Sequence, residues 1–167
     1  KKFVLFGNDN SLPDGRIIAT KGEAGFQAKS LAPGLYFAYW PWQYEVTLAD
    51  FTVIPQGKIG LVSAKDGLVP NNGAILGRNV DSDSFQDAEK FLTNQGQKGR
   101  QANILVSGSY RINRYLFDIS ICDQLSISEN AVGVVTALDG SPLSEGQIAA
   151  DITKGHNKFQ DFNSFLT

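Results

Sequence analysis

The 167-residue sequence has no methionine, one cysteine, one histidine and no apolar run long enough to cross a bilayer. Each scarcity removes a class of protein. Cys122 alone cannot build an internal disulfide framework or a multi-thiolate zinc site. With His156 as the only imidazole, catalytic arrangements that need two histidines are excluded. Charged residues make up 19%, below the roughly 25% usual for soluble domains. A net charge of -2 and a pI near 5.3 give no electrostatic reason to expect a nucleic-acid partner. The missing methionine leads to the expectation of a cut piece, whose targeting segment or anchor would lie outside it. Aromatic residues at 11% argue against disorder, and the length suffices for a core in one domain or two small ones.

What the chain does contain is an internal repeat. Ile59-Gly-Leu-Val-Ser-Ala-Lys-Asp-Gly67 returns as Val132-Gly-Val-Val-Thr-Ala-Leu-Asp-Gly140, 73 positions later. At a spacing of 74, Phe85-Gln86-Asp87 returns as Phe159-Gln160-Asp161 and Phe91-Leu92-Thr93 as Phe165-Leu166-Thr167. Gly25, Gln27, Ala28, Leu31, Gly34 and Tyr36 match Gly99, Gln101, Ala102, Leu105, Gly108 and Tyr110. Tyr44-Glu45-Val46 pairs with Phe117-Asp118-Ile119 at 73. An incomplete third copy precedes these, since Pro13-Asp14-Gly15-Arg16-Ile17 resembles Asn71-Asn72-Gly73-Ala74-Ile75. The expected organisation is the tail of a first unit over 1–24, a complete unit over 25–98, and a second unit over 99–167 truncated at its helix.

A repeated sequence implies a repeated fold. Apolar and β-branched runs at 44–48, 59–64, 104–106, 115–121, 131–137 and 147–152 predict short strands. Asp66-Gly67 and Asp139-Gly140 follow two of these runs and suit tight reversals. Segments 84–95 and 158–166 predict helices, with Phe85, Ala88, Phe91 and Leu92 on one face of the first. Asp83 with Gln86, and Asn157 with Gln160, have the spacing of a capping box, and Gly96 suits a helix end. The expected class is α+β: tandem modules of short antiparallel strands, each with one short amphipathic helix.

Candidate chemistry is sparse. Residues kept in both copies serve a fold or an interface repeated along an array, because one catalytic site rarely needs two. His156 stands where the other copy has Ser82, and reads as a surface or capping histidine or, less simply, as an acid, base or ligand. Cys122 replaces Ala49 on a predicted strand and reads as a buried, inert thiol. Asp81-x-Asp83 suggests calcium, but Gln86 and Leu92 stand where an EF-hand loop needs glycine and glutamate. Gly96-Gln-Lys-Gly-Arg100 is glycine-rich and basic without the Gly-Lys-Ser/Thr of a phosphate loop. Lys98, Arg100, Arg111 and Arg114 read as a solvated rim or an anion site. No cofactor, metal or catalytic residue is expected.

The copies differ most at Tyr36-Phe-Ala-Tyr-Trp-Pro-Trp-Gln-Tyr44, whose counterpart Tyr110-Arg-Ile-Asn-Arg-Tyr-Leu-Phe117 has arginines and no tryptophan. One reading is a core strand. The other places Tyr39, Trp40 and Trp42 at a membrane interface or against a neighbouring subunit, with Pro41 favouring an edge or loop.

Leu31-Ala-Pro-Gly-Leu-Tyr-Phe37 followed by Trp40-Pro-Trp-Gln-Tyr-Glu-Val46 resembles the opening of the band 7 family, also called SPFH (stomatin, prohibitin, flotillin). Val53-Ile-Pro-Gln-Gly-Lys-Ile-Gly-Leu-Val-Ser-Ala-Lys-Asp-Gly67, Phe85-Gln-Asp-Ala-Glu-Lys-Phe-Leu92 and Gly108-Ser-Tyr-Arg-Ile-Asn113 are similar to bacterial flotillin-like members. The resemblance implies a non-enzymatic, membrane-associated scaffold. Such proteins carry an amino-terminal hydrophobic anchor, form large homo-oligomers through a carboxyl-terminal coiled coil, and organise membrane patches and other membrane proteins. The free thiol of Cys122 sits more comfortably in a reducing compartment, so the cytoplasmic face is expected, and the charge balance leads to no nucleic acid as partner. The alternative expectation is a soluble binding module whose Trp40/Trp42 patch holds a small ligand or peptide.

Overall fold

The computed structural model describes residues 12, 15–37, 39–70, 74–138, 145–148, 154–161 and 164. Among them the fold is mixed: seven short strands in small sheets and one short helix. The central element is β4 (Lys58–Ala64), whose inward positions Gly60, Val62 and Ala64 are buried. It is flanked antiparallel by β5 (Gly99–Leu105) and β7 (Phe117–Asp123), in the order β5-β4-β7. Register on the β7 side is unbroken, from Lys58 opposite Asp123 to Ala64 opposite Phe117. On the β5 side the register shifts between Leu61 and Ser63, a bulge that frees Gln101 from the ladder. A second antiparallel pair joins β3 (Thr52–Ile54) to β6 (Gly108–Tyr110), and a parallel pair joins β1 (Ile18–Ala19) to β2 (Phe26–Gln27).

Helix α1 (Ala88–Thr93) buries Ala88, Phe91 and Leu92. Phe85, Phe91 and Phe117 meet at centroid distances of 5.0–6.3 Å, two of the three contacts being edge-on. Burying a phenylalanine of this kind contributes about 1.5–3 kcal/mol, and edge-on pairing adds about 0.5–1.5 kcal/mol. One core cluster therefore holds Ile54, Val62, Ala64, Leu105, Leu116 and Phe117 together with Ile18 and Ala28 from the amino-terminal segment. Strands on both sides of position 98 share its sheet.

The predicted elements at 59–64, 104–106 and 115–121 correspond to β4, the end of β5 and most of β7. Two others do not form. Residues 44–48 and 131–137 are exposed and belong to no strand, because an apolar alternation becomes a strand only where a neighbour supplies hydrogen bonds. Of 147–152, Gln147 and Ile148 are irregular and exposed, and 149–152 lie outside the described residues, as do Asp139 and Gly140.

The helix predicted over 84–95 is confined to 88–93 by what precedes it. Asp83, Ser84 and Phe85 take φ of 51°, 52° and 62°, a left-handed turn closed by Gln86 N–H to Asp83 O and Asp87 N–H to Ser82 O. Left-handed backbone costs a side-chain-bearing residue roughly 1–2 kcal/mol; burial of the Phe85 ring against Phe91 and Phe117 offsets it here. The expected Asp83–Gln86 capping box is consequently absent. Asp87 is the cap, its carboxylate accepting from Lys90 N–H at 2.8 Å, while Gln86 Oε1 accepts from Arg111 N–H.

At the other end, Gln95 (φ 61°) takes the left-handed position of a Schellman motif: Gln95 N–H donates to Leu92 O and Gly96 N–H to Phe91 O. Gly96 is required for space. A Cβ there would lie 2.5 Å from the Phe91 ring.

The second predicted helix, over 158–166, begins with the same left-handed turn. Asn157, Lys158 and Phe159 have φ of 43°, 53° and 64°, closed by Gln160 N–H to Asn157 O and Asp161 N–H to His156 O. The Asn157–Gln160 capping box is therefore also replaced, with Asp161 Oδ1 accepting from Ser164 N–H at 3.4 Å. Residues 162, 163 and 165–167 lie outside the described residues.

Candidate interface surface

Tyr39, Trp40 and Trp42 stand on an irregular segment between β2 and β3; Ala38 lies outside the described residues. Pro41 sits inside a turn in which Gln43 N–H and Tyr44 N–H both donate to Trp40 O. That turn sets the indoles of Trp40 and Trp42 parallel within 25° at 5.2 Å. Tyr39 bridges two neighbours edge-on, Tyr36 at 5.8 Å and Tyr44 at 5.3 Å. The group is open to solvent, Trp42 at 81% and Phe37 at 93%. The core-strand reading of this stretch is thus corrected: the segment is an exposed aromatic ledge.

The counterpart segment shows what the ledge lacks. Tyr110 is half-buried, Ile112, Asn113 and Leu116 are buried, and Phe117 enters β7. The Asn113 amide donates to Gln27 O and Ala28 O at 3.0 Å each, and its carbonyl accepts from Tyr115 N–H. Tyr115 stacks on Phe26 at 3.9 Å. At the aligned position of Asn113 the ledge carries Tyr39, which cannot make the two amide bonds. Both copies nevertheless share one feature: Tyr36 donates to Ala32 O at 2.7 Å and Tyr110 to Val106 O at 3.1 Å.

Other equivalent residues repeat their bonds as well. Gln27 Nε2 donates to Glu23 O and Gly25 O, and Gln101 Nε2 donates to Gln97 O and Gly99 O. The parallel pairing of Ala19 with Gln27 has its match in the parallel bridge of Gly77 with Gln101. These are the roles of the recurring Gly-x-Gln-Ala.

Asp66, expected from the sequence to serve a tight reversal, has a different structural role. Rather than turning a hairpin, its carboxylate is buried and accepts from Ile17 N–H and Ile18 N–H at 2.8 Å and from Gly67 N–H at 2.6 Å. Arg16 Nε lies 3.0 Å away as counter-charge, though not aligned as a hydrogen bond. Gly67 itself (φ +140°) lets the chain pass within reach of Gly96; a Cβ there would collide with Gly96 O. Asp66 thereby fastens the amino-terminal segment to the β4 end. The signal in the sequence was its recurrence at Asp139.

The remaining candidates take structural places. His156 Nδ1 accepts from Phe159 N–H at 2.9 Å, its ring 4.5 Å from that of Phe159, so it caps the second left-handed turn. Cys122 lies on β7 as expected but is half-exposed, because it belongs to a strand at the sheet edge. Asp81 pairs with Lys90 at 2.6 Å. The Lys90 ammonium holds the Asp81 carboxyl below its ordinary range, and Asp81 in turn raises Lys90. Backbone amides of Glu23 itself, Lys21 and Thr20 lower the Glu23 carboxyl, whose Oε2 accepts from Lys21 N–H at 2.7 Å. In the Gly96–Arg100 loop, Gly96 N–H and Lys98 N–H are already bonded, to Phe91 O and Leu68 O. Lys98, Arg100, Arg111 and Arg114 are all exposed, and Arg114 donates to Asp50 O.

Among the described residues no helix is long and apolar enough to cross a membrane, and no group of three or more His, Cys, Asp or Glu is placed to hold a metal ion. Compared with models of known families, with curated proteins and with solved structures, the chain matches none.

Proposed function

We propose that the chain is a building unit of a non-enzymatic, membrane-associated scaffold: tandem α+β modules in a homo-oligomeric, band 7-like assembly that organises membrane patches and membrane proteins. The recurrence of local geometry carries this reading. Left-handed turns, caps, tyrosine bonds and glutamine bonds return at a spacing of 74 residues, as expected of an array whose neighbours pack through equivalent contacts. Residues kept in both copies hold the fold, which leaves the divergent aromatic ledge as the surface free for a partner.

Tyr39, Trp40 and Trp42 suit a membrane interface, where indole and phenol rings sit with an apolar body and a polar edge. The test is cosedimentation of the 167-residue chain with phosphatidylcholine vesicles, with and without phosphatidylserine, read together with tryptophan emission. Binding and a blue shift, both lost in Trp40→Ala/Trp42→Ala, are expected. Protein that stays in the supernatant of both vesicle types with unchanged emission would overturn the membrane part of the reading.

The stacked indole pair also favours a second reading, a soluble module that holds a planar or apolar small ligand. A saturable fluorescence change with such a ligand, without vesicle binding, would replace the first reading by the second.

A further inference from the structure

Between β4 and α1 the described residues form no strand or helix, and two isolated contacts fix their course. Leu68 pairs in parallel with Gln97, its N–H donating to Gly96 O and its carbonyl accepting from Lys98 N–H. Gly77 pairs in parallel with Gln101, its N–H donating to Arg100 O. A Cβ at Gly77 would lie 2.9 Å from the Gln101 amide nitrogen, so glycine lets the backbone come this close. The connection is thus laid against the chain that leaves α1, and a cleft of about 420 Å³ remains between the two. That volume falls in the range of small-ligand sites, about 300–1,000 Å³. The cleft shares no residue with the aromatic ledge.

Its walls divide by chemistry. Leu68, Val69 and Leu76 supply apolar surface, and Arg78, Gln95 and Gln97 supply the polar surface. Gln97 Oε1 accepts from Arg78 N–H at 2.7 Å, and Gln95 Oε1 accepts from Arg78 Nη2 at 3.3 Å. Both amide oxygens are therefore engaged, and among the described residues neither Nε2 has a partner. The guanidinium is a donor only, and the amide oxygen it meets carries no charge to balance it. The acids nearest along the chain are engaged elsewhere, Asp66 with Arg16 and Asp81 with Lys90. Lys98 and Arg100, exposed just beyond Gln97, carry the same sign as Arg78. The cleft thus joins N–H donors and uncompensated positive charge to an apolar wall.

We infer that the cleft binds an organic carboxylate with a short apolar body. The two carboxylate oxygens match the donor fork of the Arg78 guanidinium and take the free amide hydrogens of Gln95 and Gln97. The apolar body covers Leu68 and Val69, which are otherwise exposed, and Leu76 beside them. An alcohol of the same length lacks the charge that this lining balances, and an inorganic anion leaves the apolar wall uncovered. A free acid and the carboxyl end of a peptide offer the same group, and the test separates them.

The experiment is a titration of the isotope-labelled 167-residue chain with hexanoate at constant ionic strength, read by nuclear magnetic resonance. Saturable shifts are expected at the Gln95 and Gln97 side-chain amides and at the Leu68 and Val69 backbone amides. Hexanol and inorganic phosphate should each bind at least about tenfold more weakly. Arg78→Gln should weaken hexanoate about tenfold without changing the response to hexanol, and Arg78→Lys should fall between. An unchanged thermal transition verifies that the variants keep the fold. Acetyl-alanyl-leucine with a free carboxyl end, run beside its amide, distinguishes the sources: tighter binding than hexanoate assigns the site to a peptide end, weaker binding to a free acid. Shifts that do not saturate, that hexanol or phosphate reproduces at equal strength, or that survive Arg78→Gln overturn the inference.

Discussion

Replacing Asp66 by alanine tests how the amino-terminal segment is held. The carboxylate takes three backbone N–H donors, those of Ile17, Ile18 and Gly67, at 2.6–2.8 Å. Alanine leaves the Ile18 amide in the core without an acceptor, and the other two in partly buried places that water reaches incompletely. An unsatisfied buried donor costs about 1–3 kcal/mol. Relief from burying a carboxylate beside Arg16 offsets part of that cost. The net expectation is a loss of about 3 kcal/mol, a large share of the 5–15 kcal/mol usual for a domain.

Urea unfolding followed by circular dichroism measures it. With a slope of about 1–3 kcal/mol per molar, the midpoint should fall by roughly 1–3 M at an unchanged slope. Hydrogen exchange at the Ile17 and Ile18 amides should accelerate beyond the change in global stability, because the segment is released before the sheet opens. Asp66→Asn, which keeps one acceptor oxygen, should fall between the two. An Asp66→Ala protein within about 0.5 kcal/mol of the parent, the range of an ordinary surface change, would refute the reasoning.

Other expectations follow from the helix and its flanks. Gly96→Ala puts a methyl 2.5 Å from the buried Phe91 ring and should destabilise by about 1–3 kcal/mol, with altered near-ultraviolet dichroism if the ring moves. Gln95→Gly relieves a left-handed side-chain-bearing residue on the surface and should stabilise by about 1 kcal/mol; a loss in thermal unfolding would contradict the Schellman assignment. The Asp81–Lys90 pair makes a pH prediction. Asp81 is lowered from its ordinary 3.8, so its contribution is complete above that value and is lost as pH falls through the depressed one; Lys90, raised above 10.5, keeps its part until pH climbs past the elevated value. The stability difference between the parent and Asp81→Asn should therefore be present at neutral pH and vanish in strong acid, and a difference that persists in acid would point to another cause.

How much of this was legible beforehand depends on the range of the interaction involved. Phe85-Gln-Asp and Phe159-Gln-Asp announced two equivalent helix starts, and the structure builds both alike but as left-handed turns. Their left-handed sense was not legible, because Asp83-x-x-Gln86 and Asn157-x-x-Gln160 also have the spacing of an ordinary capping box. The aromatic ledge could be seen as the place where the copies diverge, but its exposure follows from lacking a β4-like partner, which no local pattern records. Nor did composition distinguish Asp66 from any turn aspartate; its role comes from the Ile17 and Ile18 amides, nearly fifty residues away.

The sequence by itself determined the period of the repeat and the apolar face around Phe85, Ala88, Phe91 and Leu92, since these depend on residues close along the chain. It divided the repeat into units at 25–98 and 99–167, although a cyclic pattern can be cut into units anywhere. Only the tertiary structure decided that the folded body takes its strands from both sides of position 98 and completes its core with Ile18 and Ala28. Strand pairing and core closure are long-range: an apolar segment such as 59–64 becomes a central strand when neighbours bond both its edges, while its near-copy at 132–137 stays exposed without them.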